Sequence, residues 1–219
     1  MRPVLGVVSI GQTPRPDLAR AFGDEAPQAE VRVRGALDGV GESELAALTA
    51  PGTYPLLVRL SSSRTIEVPM DRLVPLVALR ARELANEGAA VVVVACAGGF
   101  PTVPCPVPLL LPGRIVPAVA GALTQSRRIG VITPNRAQVP FAEAKWREDG
   151  FEPRVTWASP DDEQELRRAA DDLAGAGIDL VVLDCMGHDD ECRGTLARLT
   201  GLPVIAAQSL VARVAAALI

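Results

Sequence analysis

One pair of segments constrains the fold more than any other feature of the chain. Gly88-Ala-Ala-Val-Val-Val-Val-Ala-Cys96-Ala-Gly98 aligns without a gap on Gly177-Ile-Asp-Leu-Val-Val-Leu-Asp-Cys185-Met-Gly187 at an offset of 89, and Leu84 falls on Leu173 at the same offset. Within them Val91–Val94 and Leu180–Leu183 are apolar at every position. A strand apolar on both faces belongs inside a parallel sheet covered by helices. A second echo pairs Leu5-Gly6-Val7-Val8-Ser9 with Ile129-Gly130-Val131-Ile132-Thr133. Each half of the chain thus opens on a Gly-Val strand and later carries a helix, a glycine, an apolar strand and a cysteine. Gly6 to Cys96 is 90 residues and Gly130 to Cys185 is 55, so the first half holds about 35 more. The candidate insert is Tyr54–Val68, which reads as a hairpin turning at Ser61-Ser62-Ser63-Arg64.

The rest of the pattern agrees. Strands are predicted at Val4–Ser9, Glu30–Gly35, Tyr54–Leu60, Ala90–Ala95, Arg128–Thr133, Pro153–Ala158, Leu180–Asp184 and Val204–Ala206. Between them, Asp71–Glu87 puts Leu73, Leu76, Val77 and Leu84 on one helical face. Ser159-Pro160-Asp161-Asp162 reads as a helix start with an N-cap serine, a proline at the first position and acids in the first turn, ending at Gly175 or Gly177. Alternating strand and helix mean α/β with a mostly parallel sheet.

Composition removes several function classes. A net charge of −4 and a pI near 5.2 argue against a nucleic-acid surface. No apolar run reaches the roughly 18 residues of a membrane span, and the N-terminal apolar stretch is too short for a signal peptide. A cytoplasmic protein is expected. Lys145 is the only lysine and His188 the only histidine. Schiff-base chemistry has one candidate, and a His-based triad or multi-histidine metal site has little to work with. Neither a P-loop nor a G-x-G-x-x-G follows a strand. The four cysteines, Cys96, Cys105, Cys185 and Cys192, are not expected to form structural disulfides in a cytosolic chain.

In a parallel sheet, sites form at the carboxyl ends of the strands. Cys96 and Cys185 both stand there, each with a glycine two residues on. Loop amides and a nearby helix start favour a thiolate at such a position, although cysteine is also a common core residue. If a pseudo-twofold relates the halves, the two thiols face one cleft. Gln12-Thr13-Pro14-Arg15 follows the first strand and is read as opening a helix at Pro14, where amides and Arg15 would hold a carboxylate or phosphate. Thr133-Pro134-Asn135-Arg136 occupies the matching place in the second half, with Gln138 nearby. Arg64 on the hairpin reads as solvated. Cys185-x2-His188-x3-Cys192 has metal-like spacing but no C-x2-C pair beside it, so no metal is expected. Cys105, between Pro104 and Pro106 with Pro101 and Pro108 nearby, reads as structural, and Trp146 as a packing residue.

Ile10-Gly-Gln-Thr-Pro-Arg15-Pro-Asp17, Cys96-Ala-Gly-Gly-Phe-Pro101, Lys145-Trp146, Ala158-Ser-Pro160, Asp184-Cys-Met-Gly187 and Ser209-Leu-Val-Ala-Arg-Val214 run nearly end to end. On these segments the chain resembles the AroM-like family, within the aspartate/glutamate/hydantoin racemase superfamily. That resemblance implies two similar parallel-sheet subdomains related by a pseudo-twofold, no cofactor, and Cys96 and Cys185 as a catalytic pair. The chain also departs from the racemases. Ala97-Gly98 stands where they carry Asn-Thr after the first cysteine. Asp184-Cys185-Met186-Gly187-His188 stands where they carry Gly-Cys-Thr-His, and His188 takes the place of the tyrosine usual in the AroM-like pattern.

The expected division is residues 1–97 with 207–219 as one half, 98–206 as the other, and a cleft between them. The expected function is a cofactor-independent, thiol-based racemase or epimerase, or a related isomerase or decarboxylase, acting next to a carboxylate on a small acid. The alternative is a non-catalytic small-anion binding or regulatory protein on the same scaffold, which one thiol turned into the core would favour. Substrate contacts are expected from Gln12, Thr13, Arg15, Ala97, Gly98, Gly99, Thr133, Asn135, Met186, Gly187 and His188. The loop amides at Ala97–Gly99 and Met186–His188 would stabilise an enolate. His188 would steady the thiolate or position the substrate, while Asp184 would raise the Cys185 pKa by like-charge repulsion. A small carboxylate or other anion is the expected partner, without nucleic acid or membrane. Self-association into a homo-oligomer stays open.

Overall fold

The structure, a computed structural model, describes residues 2–219. The chain forms two compact α/β units. The first takes residues up to Cys96, Phe100–Pro112 and Val211–Ile219; the second takes Ala97–Gly99 and Gly113–Leu210.

In unit 1 the elements are β1 (Val4–Ser9), α1 (Pro16–Glu25), β2 (Glu30–Gly35), α2 (Glu42–Leu48), β3 (Pro55–Arg59), β4 (Thr65–Pro69), α3 (Met70–Asn86), β5 (Ala89–Ala95) and β6 (Leu109–Leu110). Its sheet runs β2-β1-β5-β6, all parallel. The chain continues through α4 (Pro112–Leu123), β7 (Arg128–Thr133), a 3-10 turn (Arg136–Gln138), α5 (Val139–Glu148), β8 (Glu152–Trp157), α6 (Glu163–Leu173), β9 (Leu180–Leu183), α7 (Asp190–Thr200), β10 (Val204–Ala206) and α8 (Ala207–Ala216). The sheet of unit 2 runs β8-β7-β9-β10, again all parallel.

The two sheets therefore share one topology, with the first strand of each unit between its second and third. The 89-residue offset has a packing cause. Gly6 pairs with Val92, and Gly130 pairs with Val181. A Cβ on Gly6 would stand 3.1 Å from Leu84 Cβ of α3, and one on Gly130 would stand 2.9 Å from Leu173 Cδ1 of α6. In each unit a helix lays a leucine over a glycine of the first strand, and a side chain there would lift the helix off the sheet.

The extra length of unit 1 lies between β2 and α3, where α2 and the antiparallel β3–β4 hairpin are inserted; in unit 2, β8 leads directly to α6. The hairpin turns at Leu60–Arg64 with Ser63 at φ +65°. The division between units departs from a cut at 97/98. Phe100–Pro112 belongs with unit 1 because β6 pairs with β5 and because Phe100, Val103 and Leu111 join the core of Val58, Leu73, Val77 and Val92. At the other end, unit 1 takes the chain back at Val211 rather than 207.

Two helix starts differ from expectation. The first helix opens at Pro16 rather than Pro14, so Gln12–Arg15 is a turn. Helix α6 is capped by Asp162, whose carboxylate accepts from the amides of Gln164 and Glu165; Ser159 lies a turn upstream and donates its amide to Glu165. A carboxylate fits the positive end of the helix dipole better than a hydroxyl does. Among the described residues no helix is long and apolar enough to cross a membrane.

Candidate active site

Both sequence-marked cysteines stand at carboxyl ends of parallel strands. Cys96 directly follows β5 in unit 1, and Cys185 lies two residues past β9 in unit 2. Their surroundings differ. Cys96 is 5% exposed and packed into the apolar core of unit 1, while Cys185 is half-buried. The amide of Gly187 donates to Cys185 Sγ at 3.3 Å. A Cβ on Gly187 would fall 2.8 Å from Pro160 Cγ and 3.5 Å from that sulfur, so glycine lets the backbone approach the thiol. The amide of His188 donates to the Cys185 carbonyl and closes the turn, and Gln208 Nε2 donates to the Met186 carbonyl at 2.8 Å.

Next to this turn lies a buried charged cluster that local sequence patterns do not reveal. Lys145 Nζ of α5 donates to both oxygens of Asp184 at 3.1 Å and to the Ala97 carbonyl at 2.8 Å, and Trp146 Nε1 donates to Asp184 Oδ2 at 2.9 Å. The side chains of Lys145 and Asp184 are only 10% and 2% exposed. The lone lysine thus joins the residue before Cys185 to the residue after Cys96. Three expectations change. Asp184 does not act on Cys185 as an uncompensated charge, because Lys145 neutralises it. Lys145 is tied into an ion pair. Trp146 packs edge-on against Phe151 as expected, but it also carries a polar bond.

His188 is fully buried in unit 2, and Nε2 donates to the Ala158 carbonyl at 3.1 Å. Burial pushes its pKa down to about 4, against the smaller opposing effects of the Ala158 carbonyl and of Asp189 and Asp161. It is neutral at physiological pH and cannot steady a thiolate as a cation. Cys192 sits at the start of α7, whose cap is the Asp189 carboxylate. Burial first, then Asp189, pushes its thiol up to about 11. Among the described residues no group of three or more His, Cys, Asp or Glu is placed to hold a metal ion.

The two turns expected to hold an anion direct their donors inward. In unit 1, the Thr13 amide and hydroxyl both donate to the Asp38 carboxylate, at 2.7 and 2.9 Å. Gln12 Nε2 donates to the Leu37 carbonyl, while its Oε1 accepts from the Ser61 amide and hydroxyl. Arg15 is bound to Asp17 at 2.5 Å and to Ser9 Oγ. Burial alone would raise the Asp17 carboxyl, but the hydrogen bonds and charge of Arg15 outweigh it and hold it below the usual range. In unit 2, Thr133 is buried and its hydroxyl bridges the carbonyls of Asn135 and Thr156, and Asn135 caps the 3-10 turn by accepting from the Gln138 amide.

Gln12, Thr13, Arg15 and Cys96 thus belong to unit 1; Ala97, Gly98, Gly99, Thr133, Asn135, Met186, Gly187, His188 and Cys185 belong to unit 2. Two grooves of unit 2 are lined by neither cysteine. One, of about 430 Å³, is lined by Arg128, Arg147, Glu152 and Arg154 near the amino ends of β7 and β8; another, of about 630 Å³, lies along Arg136, Trp157 and Arg168.

Solved structures share this architecture. Unliganded arylmalonate decarboxylase is 17% identical, with a TM-score of 0.63 over 99% of this chain and 92% of that one. Glutamate racemase isoform RacE1 from Bacillus anthracis is 14% identical, with a TM-score of 0.64 over 96% and 79%. A Cys-to-Ala variant of the maleate isomerase Iso from Pseudomonas putida S16, solved with maleate, is 15% identical, with a TM-score of 0.61 over 97% and 89%. The fold is the one these decarboxylase, racemase and isomerase structures share. The model described as AroM protein matches residues 5–219, and the chain belongs to the AroM family. A search of curated proteins returns no match.

Proposed function

We propose that this protein is a cofactor-independent racemase or epimerase, or a related isomerase or decarboxylase, acting at a carbon next to the carboxylate of a small acid. The observation that carries the reading is the recurrence of a cysteine at the carboxyl end of the third strand in each of two sheets of one topology. The names of the fold neighbours support it, because arylmalonate, glutamate and maleate are all small carboxylates.

In this reading Cys96 and Cys185 are the acid/base pair. Inverting a stereocentre needs one group to take the proton from one face and another to return it on the other. Thiols suit the task because an ordinary cysteine titrates near ~8.5, so thiol and thiolate coexist close to neutral pH. The enolate that develops needs fixed donors, and the amides of Gly98, Gly99 and Met186 are the candidates, since those of Gly187 and His188 already donate to Cys185. The Gly98 amide is held in direction by the Lys145 bond to the Ala97 carbonyl, since a trans peptide sets its N–H opposite its C=O. Substrate anchoring by Thr13 and Arg15 would require the Asp38 and Asp17 partners to give way, so carboxylate recognition falls to the Ala97–Gly99 and Met186–His188 loops.

Deuterium exchange at the α-carbon in deuterated water, across a panel of α-substituted carboxylates, tests the proposal. Wild type should incorporate label, and Cys96→Ser or Cys185→Ser should lose racemisation while keeping exchange from one enantiomer. If nothing exchanges, or the double Ser variant exchanges as fast as wild type, the enzyme reading fails. The burial of Cys96 in the core of unit 1 favours the second reading, a small-anion binding or regulatory protein on the same scaffold. Anion binding that survives Cys96→Ser, without exchange of any substrate, would select it.

A further inference from the structure

The Asp184-Cys185-Met186-Gly187 turn is held from one direction by a residue that no part of the acid/base reading uses. Gln208 is the second residue of α8, is 3% exposed, and gives its Nε2 hydrogen to the Met186 carbonyl at 2.8 Å. The peptide between Met186 and Gly187 is planar and trans, so a carbonyl fixed on one side fixes the N–H on the other. That N–H is the one donating to Cys185 Sγ at 3.3 Å. Gln208, the Met186–Gly187 peptide and the sulfur thus form one chain of donors. Each bond polarises the next, so the amide is a better donor with Gln208 in place.

We propose that Gln208 is a positioning residue for Cys185, which acts through the Gly187 amide to favour the thiolate. A hydrogen bond to the charged form of a group stabilises that form. Two groups beside the turn carry no unbalanced charge: Asp184 is matched by Lys145, and buried His188 is neutral. The residue types follow from the geometry. Glycine at 187 allows the approach to sulfur against Pro160, buried Met186 anchors the turn, and a side-chain amide at 208 reaches the carbonyl from the helix. The catalytic consequence rests on the function proposed above; the effect on the thiol does not.

The experiment is the pH dependence of alkylation at each cysteine, resolved by tandem mass spectrometry, in wild type and Gln208→Met. Methionine keeps the bulk of glutamine and removes the donor. The Cys185 midpoint should rise by about one unit, a roughly tenfold slower reaction at fixed pH below the midpoint. The midpoints of Cys96 and Cys105 should not move. A folded Gln208→Met protein with an unshifted Cys185 midpoint overturns the proposal. A second measurement needs no variant at 208. The amide resonance of Gly187 should titrate with the Cys185 midpoint in wild type and lose that response in Cys185→Ser, and a Gly187 resonance indifferent to Cys185 ionisation also overturns it. If the midpoint shifts but no carboxylate exchanges deuterium, the positioning role stands and the enzyme reading falls. If exchange proceeds and the midpoint is unshifted, only the role of Gln208 is lost.

Discussion

At the scale of single residues, the cluster around Asp184 shows what local sequence can and cannot disclose. The cysteines were legible because each ends an apolar run in a repeated segment. The partnership of Lys145 with Asp184 was not, because 39 residues separate them and no short spacing brings α5 onto the end of β9. The one available signal was scarcity, a single lysine adjoining a tryptophan in a chain of 219 residues. Removing one member of a buried pair leaves the other charged and dry. Lys145→Met is therefore expected to cost about 3–5 kcal/mol in denaturant unfolding, and Lys145→Met with Asp184→Asn distinctly less, because the amide carbonyl still accepts from Trp146. Equal costs for the single and double variants would show that the pair is not the source. His188 gives a second prediction. Its folded pKa of about 4 lies below the ordinary value of 6.5, so between those pH values the unfolded chain binds more protons. Its contribution is complete above pH 6.5 and falls as pH drops toward 4, by about 3 kcal/mol at most. Urea unfolding at pH 7 and pH 4.5 should show a smaller loss in His188→Gln than in wild type.

At the scale of elements, the strands and the long helix were readable because burial imposes period and composition on them. Helix starts were less so, since serine, proline and aspartate follow one another at 159–162 and only the backbone decides which of them caps. The Gly-Gln-Thr-Pro-Arg segment is a turn before the helix that opens at Pro16, and its contacts make it a clasp for the inserted hairpin. The Gln12 amide donates to the Arg59 carbonyl, Gln12 Oε1 holds Ser61, and a Cβ on Gly11 would stand 2.1 Å from the Arg59 oxygen. That contact is with backbone, so no side-chain rotation relieves it. Gly11→Ala is expected to displace the hairpin and to raise hydrogen exchange across residues 55–69 by tenfold or more, with β7–β10 unchanged. Wild-type exchange rates in that segment would rule the clasp out.

At the scale of the molecule, the repeat makes the two cysteines equivalent in topology, while packing makes them unequal in stability, and this separates chemistry from core filling. The doubled topology was legible because each cysteine, its glycine and the leucine of the preceding helix keep one offset. The unequal burial was not, because it depends on segments far away in sequence: the 100–112 return builds Phe100, Val103 and Leu111 into the core that holds Cys96, and nothing in the Cys-x-Gly pattern records that. Cys96→Ser places a hydroxyl among apolar side chains and is expected to lower stability by about 1–3 kcal/mol. Cys185→Ser, half-buried beside polar backbone, should stay within about 0.5 kcal/mol of wild type. If the cysteines served packing alone, functional loss would follow stability loss, and Cys185→Ser would be nearly silent. If they are the acid/base pair, both variants lose racemisation in the folded protein although only one is destabilised. Denaturant unfolding and deuterium exchange on the same two samples distinguish these outcomes. A Cys185→Ser protein that is as stable as wild type and racemises its substrate at the wild-type rate would remove Cys185 from the chemistry.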